Sequence, residues 1–167
     1  MGLSIYAYSN LEKAIRQAPD EGHKVLIIID NQWKDFAKDL ENDTFYSFQD
    51  CIKRDIGPYS FYRVWRNELA CLADYTPVNG LDSRQPYLDG ARKQNEGHFW
   101  HLLMFSDCSN YIDSEISKKI YHDFVEFDQK AKDFGNKYSK LYNFYEVYEY
   151  FKQAFQTASQ NGAVHFN

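Results

Sequence analysis

Apolar residues recur along this chain in two rhythms, and those rhythms sketch its elements. The clearest run lies near the C-terminal end. Leu141, Phe144, Tyr148, Phe151, Phe155 and Ala158 are spaced by threes and fours, which places them on one face of a helix. Asn161-Gly162 supplies its stop. A second stripe, Ile116, Ile120, Phe124, Phe127, Ala131 and Phe134, follows Asp113 or Ser114 as cap and runs to Gly135-Asn136. A third, Tyr62, Trp65, Leu69 and Leu72, begins after Gly57-Pro58, with proline near the first turn. Towards the N-terminus, Asn10 caps a stripe of Leu11, Ala14, Ile15 and Ala18 that ends in the turn residues Pro19-Asp20-Glu21-Gly22. Asp30 or Asn31 caps a further stripe of Trp33, Phe36, Ala37 and Leu40.

Strand patterns fall between these stripes. Leu3 to Tyr8 alternates weakly, Lys24 to Ile29 holds the longest apolar run, and Ala163 to Phe166 forms a short final segment. His98 to Phe105 is apolar on both alternating faces, which suits a central strand covered on both sides. "ENDTFYSFQDCIKRDIG" fits neither rhythm. Thr76 to Gly97 is polar and turn-rich and reads as a long loop. The pattern predicts an α+β fold, mostly helical, with a C-terminal helical hairpin packed on a small sheet, as a single domain over residues 1–167.

Composition narrows the functional classes. With 167 residues, 44% hydrophobic and 26% charged, the chain has the make-up of a globular domain with a full core. No apolar run approaches the roughly 18 residues of a membrane span, so no membrane partner is expected. "MGLSIYAYSNLEK" does not read as a signal peptide, and Tyr6 stands where a myristoylation signal needs Ser or Thr. Cys51, Cys71 and Cys108 are few and widely spaced, which points to reduced thiols and a cytoplasmic setting. The net charge of −5 disfavours broad phosphate binding, so nucleic acid is not the expected partner. Fourteen Tyr and thirteen Phe suit a protein-binding surface, although A/T-rich codons account for the same excess.

"GHFWHLLMFSDCSN" is the densest stretch for chemistry. As a strand it turns His98 and His101 to opposite faces, where they cannot share a metal. No closely spaced cysteine pair supports a zinc site, so neither a metal nor a cofactor is expected. An enzyme would use the turn that follows: Asp107 as acid, base or ligand, Cys108 as nucleophile, and His101 or His165 as proton carrier. No local signature supports that set. Asp107 also reads as a turn cap and Cys108 as a buried apolar residue. Arg84 and Arg92 give a weak anion signal, and no phosphate-binding glycine loop occurs. Tyr138, Tyr142 and Tyr145 flank the last helical stripe and are the candidate exposed interface.

The segment "GHFWHLLMFSDCSNYIDSEISKKIYHDF", the phrase "PYLDGAR" and the ending "YFKQAFQTASQNGAVHF" resemble a group of uncharacterised proteins found in bacteria and their phages. Those proteins are similar in an FWHLLxFSDCxGxI-like block, a following helix rich in Lys and Asp, and a terminal Asn-Gly-x-Val-x-Phe segment. The resemblance covers roughly the last half of the chain. Ser109-Asn110 stands where the group tends to have Glu-Gly. The resemblance implies a bacterial or phage cytosolic setting and transfers no catalytic residue.

The leading expectation is a non-catalytic module that binds another protein, such as a phage or mobile-element regulator or inhibitor of anti-defence or toxin-neutralising type. The alternative is a small hydrolase-like enzyme with its site around Asp107 and Cys108. Single-stranded nucleic-acid binding comes third.

Overall fold

The computed structural model describes residues 2–14, 23–79, 84–105 and 110–167. It is an α+β fold built on two small antiparallel sheets. In chain order the strands are β1 (Gly2–Tyr8), β2 (Glu12–Lys13), β3 (Lys24–Ile27), β4 (Thr44–Ser47), β5 (Cys51–Pro58), β6 (Asn110–Asp113) and β7 (Ala163–Phe166). The first sheet has the order β5-β1-β7-β6 and the second β2-β4-β3.

The C-terminal strand β7 sits inside the first sheet, pairing Ile5 with Phe166 on one side and Tyr111 with His165 on the other. The two faces of this sheet divide the core. Leu3, Ile5, Ala7, Val164 and Phe166 face the helices. Tyr8, Tyr111 and Ala163 face the second sheet, meeting Leu11, Ile27 and Tyr46. β1, β6 and β7 are thus covered on both sides, with large residues on both faces.

Three longer helices cover the first sheet's inner face. α1 (Tyr59–Leu72) buries Tyr62, Trp65, Leu69 and Leu72, the stripe that its spacing predicts. α4 (Ser114–Glu126) is capped by Asp113, whose side chain accepts from Ile116 N. α6 (Phe144–Ala158) buries Phe144, Tyr148, Phe151, Phe155 and Ala158 and packs on the sheet and against α4. Aromatic rings join them: Trp65 stacks on Phe151 at 4.7 Å, and Phe124 meets Tyr148 edge-on at 4.7 Å. The stripe read as one helix from Ile116 to Phe134 divides at Phe127 into α4 and α5 (Asp128–Lys137). The Tyr148 hydroxyl donates to Phe124 O next to that break, satisfying a carbonyl of α4's last turn.

Four expectations are corrected. His98 to Phe105 is not a strand. It enters a short helix α3 (Trp100–Met104) from Phe99, which has left-handed backbone (φ 58°). Two distant groups impose that shape. Asp123 Oδ2 accepts from Phe99 N at 2.7 Å, and the buried Arg66 donates to the carbonyls of Leu103 and Phe105 at α3's end. Thr76 to Gly97 is not all loop, because α2 (Pro86–Gln94) forms there with proline in its first turn. Asn10 caps no helix; it has φ 48° and leads into β2, while residues 15–22 lie outside the described residues. The stripe after Asp30 is a 3-10 turn over Asn31–Phe36 that Asp30 does cap, accepting from Gln32 N.

Candidate functional site

A groove with an apolar floor runs between α1, α2 and the α5–α6 turn. It holds about 500 Å³ and is lined by Val64, Asn67, Glu68, Cys71, Arg84, Tyr87, Phe134, Tyr138 and Lys140. Its walls are fixed from within. Asn67 Oδ1 accepts from the backbone N–H of Tyr87 and of Leu88, holding the first turn of α2 against α1. Gly90 lets α2 approach so closely that a Cβ there would lie 2.0 Å from Thr76 O. The buried carboxylate of Glu68 accepts from Ser139 Oγ and, at 2.9 Å, from Lys140 N, which anchors the α5–α6 turn to α1.

That turn presents aromatic surface. Tyr138 is 73% exposed and Tyr142 fully exposed, and Val64 on α1 is 43% exposed at the groove. Large exposed apolar residues beside a groove are the usual anchors of protein recognition. Tyr145, the third residue of the expected interface, has another role. It is half-buried, its hydroxyl donates to Asp128 Oδ1 at 3.2 Å, and its ring stacks on Tyr148 at 5.8 Å. Lys152 pairs with the same Asp128 oxygen at 2.7 Å. Tyr145 therefore clamps α5 to α6.

The groove's polar groups are largely committed to structure. Glu68 and Asn67 are bonded as above. The Tyr87 hydroxyl is held above its usual titration range by its bond to the Cys71 thiol. No histidine is among the groove's lining residues. Arg84 and Lys140 are the cationic side chains of the described lining against the single carboxylate of Glu68, so the groove is apolar with a net positive lining.

Of the sequence-selected catalytic candidates, His101 and His165 lie among the described residues, on different elements. Asp107 and Cys108 lie outside the described residues. His101 belongs to α3 and packs its ring against Phe36 and Trp100; burial, with Lys119 nearby, lowers its titration range. His165 lies between Val164 and Phe166 on β7, whose side chains face the helices, so it points to the opposite face of the first sheet. There it stacks on Tyr111 and meets Tyr6, and burial lowers its pKa to about 4. His101 and His165 thus pack on opposite sides of the first sheet.

A cluster that sequence reading passed over forms instead at His98. Its Nδ1 lies 2.8 Å from Asp123 Oδ1, and its ring packs on Phe127 at 4.8 Å. A cleft of about 460 Å³ opens beside it, lined by Gly97, His101, Lys118, Lys119, His122 and Asp123. The signal in the sequence was Asp123 and Glu126 one helical turn apart. It was hidden because the partner, His98, comes from a segment read as a strand.

No helix among the described residues is long and apolar enough to cross a membrane. Comparison of the chain with family models, with curated proteins and with solved structures gives no match.

Proposed function

We propose that this chain is a non-catalytic protein-binding module that recognises its partner through the face formed by α1, α2 and the α5–α6 turn. The observation that carries the reading is the exposure of Tyr138 and Val64 at an apolar groove, and of Tyr142 on the same turn, with Asn67 and Glu68 of the groove already bonded within the fold. Exposed tyrosines bury large area at low entropic cost, so they bind partners more efficiently than flexible charged residues. The net positive lining, with Arg84 and Lys140, favours a partner segment that carries carboxylates.

The resemblance of the chain's last half to proteins of bacteria and their phages supports a cytoplasmic regulator or inhibitor of that setting, of anti-defence or toxin-neutralising type. Affinity capture with the tagged protein beside its Y138A/Y142A variant tests the reading. A stoichiometric protein that is retained by the first and lost by the second supports it. Equal retention by both, or no protein partner at all, contradicts it.

A further inference from the structure

His98, just before α3, and Asp123 and Glu126 on α4 each offer one ligand atom, and these atoms all lie within 4.8 Å of one another. Ligand bonds of about 2.0–2.2 Å to a first-row cation place donor atoms about 3–3.5 Å apart. His98 Nδ1 and Asp123 Oδ1, hydrogen-bonded at 2.8 Å, need only move slightly apart to share such a cation. Glu126, half exposed one turn on and 3.7 Å from His122 Nδ1, supplies the third ligand atom.

Bonds from outside the cluster fix two of the three groups. Asp123 Oδ2 accepts from Phe99 N, which aims Oδ1 at His98. The Tyr75 hydroxyl donates to His98 O at 3.0 Å, and Phe127 backs the imidazole ring. Such outer contacts orient ligands in metal sites and raise affinity. Gly97 makes room for the clamp: a Cβ there would lie 2.6 Å from the Tyr75 hydroxyl oxygen. One neutral imidazole and two carboxylates carry two negative charges, matched to a divalent cation. Lys130 is paired with Asp74 at 2.6 Å and Lys118 with Glu115 at 2.5 Å, while Lys119 lines the cleft beside the cluster.

We propose that His98, Asp123 and Glu126 bind one divalent first-row transition cation of the zinc class, with its remaining positions open to the cleft beside them. The imidazole selects such a cation over magnesium or calcium, which take oxygen ligands. Three protein ligands with open positions are the arrangement of a reactive or ligand-binding metal rather than a closed structural one.

The test is calorimetric titration of chelator-treated protein with zinc chloride, paired with the visible spectrum on cobalt substitution. The expected result is one equivalent of saturable binding, weakened about tenfold or more in both His98→Ala and Glu126→Gln. The cobalt spectrum should show d–d bands without thiolate charge transfer. Glu126 is a surface carboxylate, so Glu126→Gln keeps the test valid if His98→Ala disturbs the fold. No saturable binding overturns the proposal. Binding that survives both substitutions, or a thiolate band, also overturns it by placing the metal elsewhere.

Discussion

The imidazole of His165 lies flat on the ring of Tyr111, with centroids 4.3 Å apart and planes 9° apart. Tyr6 flanks it at 6.1 Å, and the Tyr111 hydroxyl donates to Leu26 O in the second sheet. The pair thus belongs to the contact that joins the two sheets. Burial lowers the His165 pKa from 6.5 to about 4. The unfolded chain takes up this proton at higher pH than the folded one. The stability contributed by the neutral ring is therefore complete above about pH 6.5 and is lost as pH falls towards 4. The full loss is on the order of 3 kcal/mol. Urea unfolding at about pH 7 and about pH 4.5 should show a steeper acid loss in the natural protein than in His165→Phe, which keeps the stack but does not titrate. Parallel losses in the two proteins would contradict this role.

Gly162 joins α6 to β7 where the chain passes β1. A Cβ there would sit 1.8 Å from Tyr8 O and 3.1 Å from the Ala158 Cα, both backbone atoms. Nothing at the end of a flexible side chain can move aside, so the strand or the helix must shift. Gly162→Ala is expected to cost about 3 kcal/mol, read as a lower urea midpoint with little change in slope. An unchanged midpoint would show that β7 and α6 have slack at their junction.

Glu68 tests whether the proposed binding face depends on its buried anchor. Glu68→Ala leaves Lys140 N and Ser139 Oγ without the acceptor that holds their turn. A stability loss of about 2 kcal/mol is expected, with weaker partner binding because Tyr138 and Tyr142 ride on that turn. Partner affinity equal to that of the natural protein would separate the turn from recognition.

Tyr145 should behave in the opposite way to its neighbours. Tyr145→Phe removes the bond to Asp128 and is expected to cost about 1 kcal/mol, while partner affinity stays unchanged. Tyr138→Ala and Tyr142→Ala should do the reverse, leaving the midpoint within about 0.5 kcal/mol as surface changes do and weakening binding.

Much of the fold was legible because single faces decide it. The stripes from Tyr62 to Leu72 and from Phe144 to Ala158 have one apolar face each, and both became the helices they predicted. His98 to Phe105 was not legible for the converse reason. A run that is apolar all round fits either period, so local pattern cannot choose. The choice is made by Asp123 and Arg66, which lie 24 to 39 residues away from the backbone atoms they hold. The same distance hid the His98 cluster. Residues 44–58 lacked a clear period because β4 spans only four residues and β5 lies at a sheet edge with half its residues exposed. The exposed tyrosines were partly legible. Position beside a core stripe marked three candidates, and only the contact of Tyr145 with Asp128 distinguishes it from Tyr138 and Tyr142.

We propose the face around Tyr138 as the place where a protein partner docks. Hydrogen–deuterium exchange of the protein, alone and in complex with its captured partner, tests it most directly. Protection on binding should concentrate in peptides covering residues 63–71 and 134–143. Protection confined to the second sheet, residues 24–47, or to the cleft beside His98, with the Tyr138 face unchanged, would contradict it.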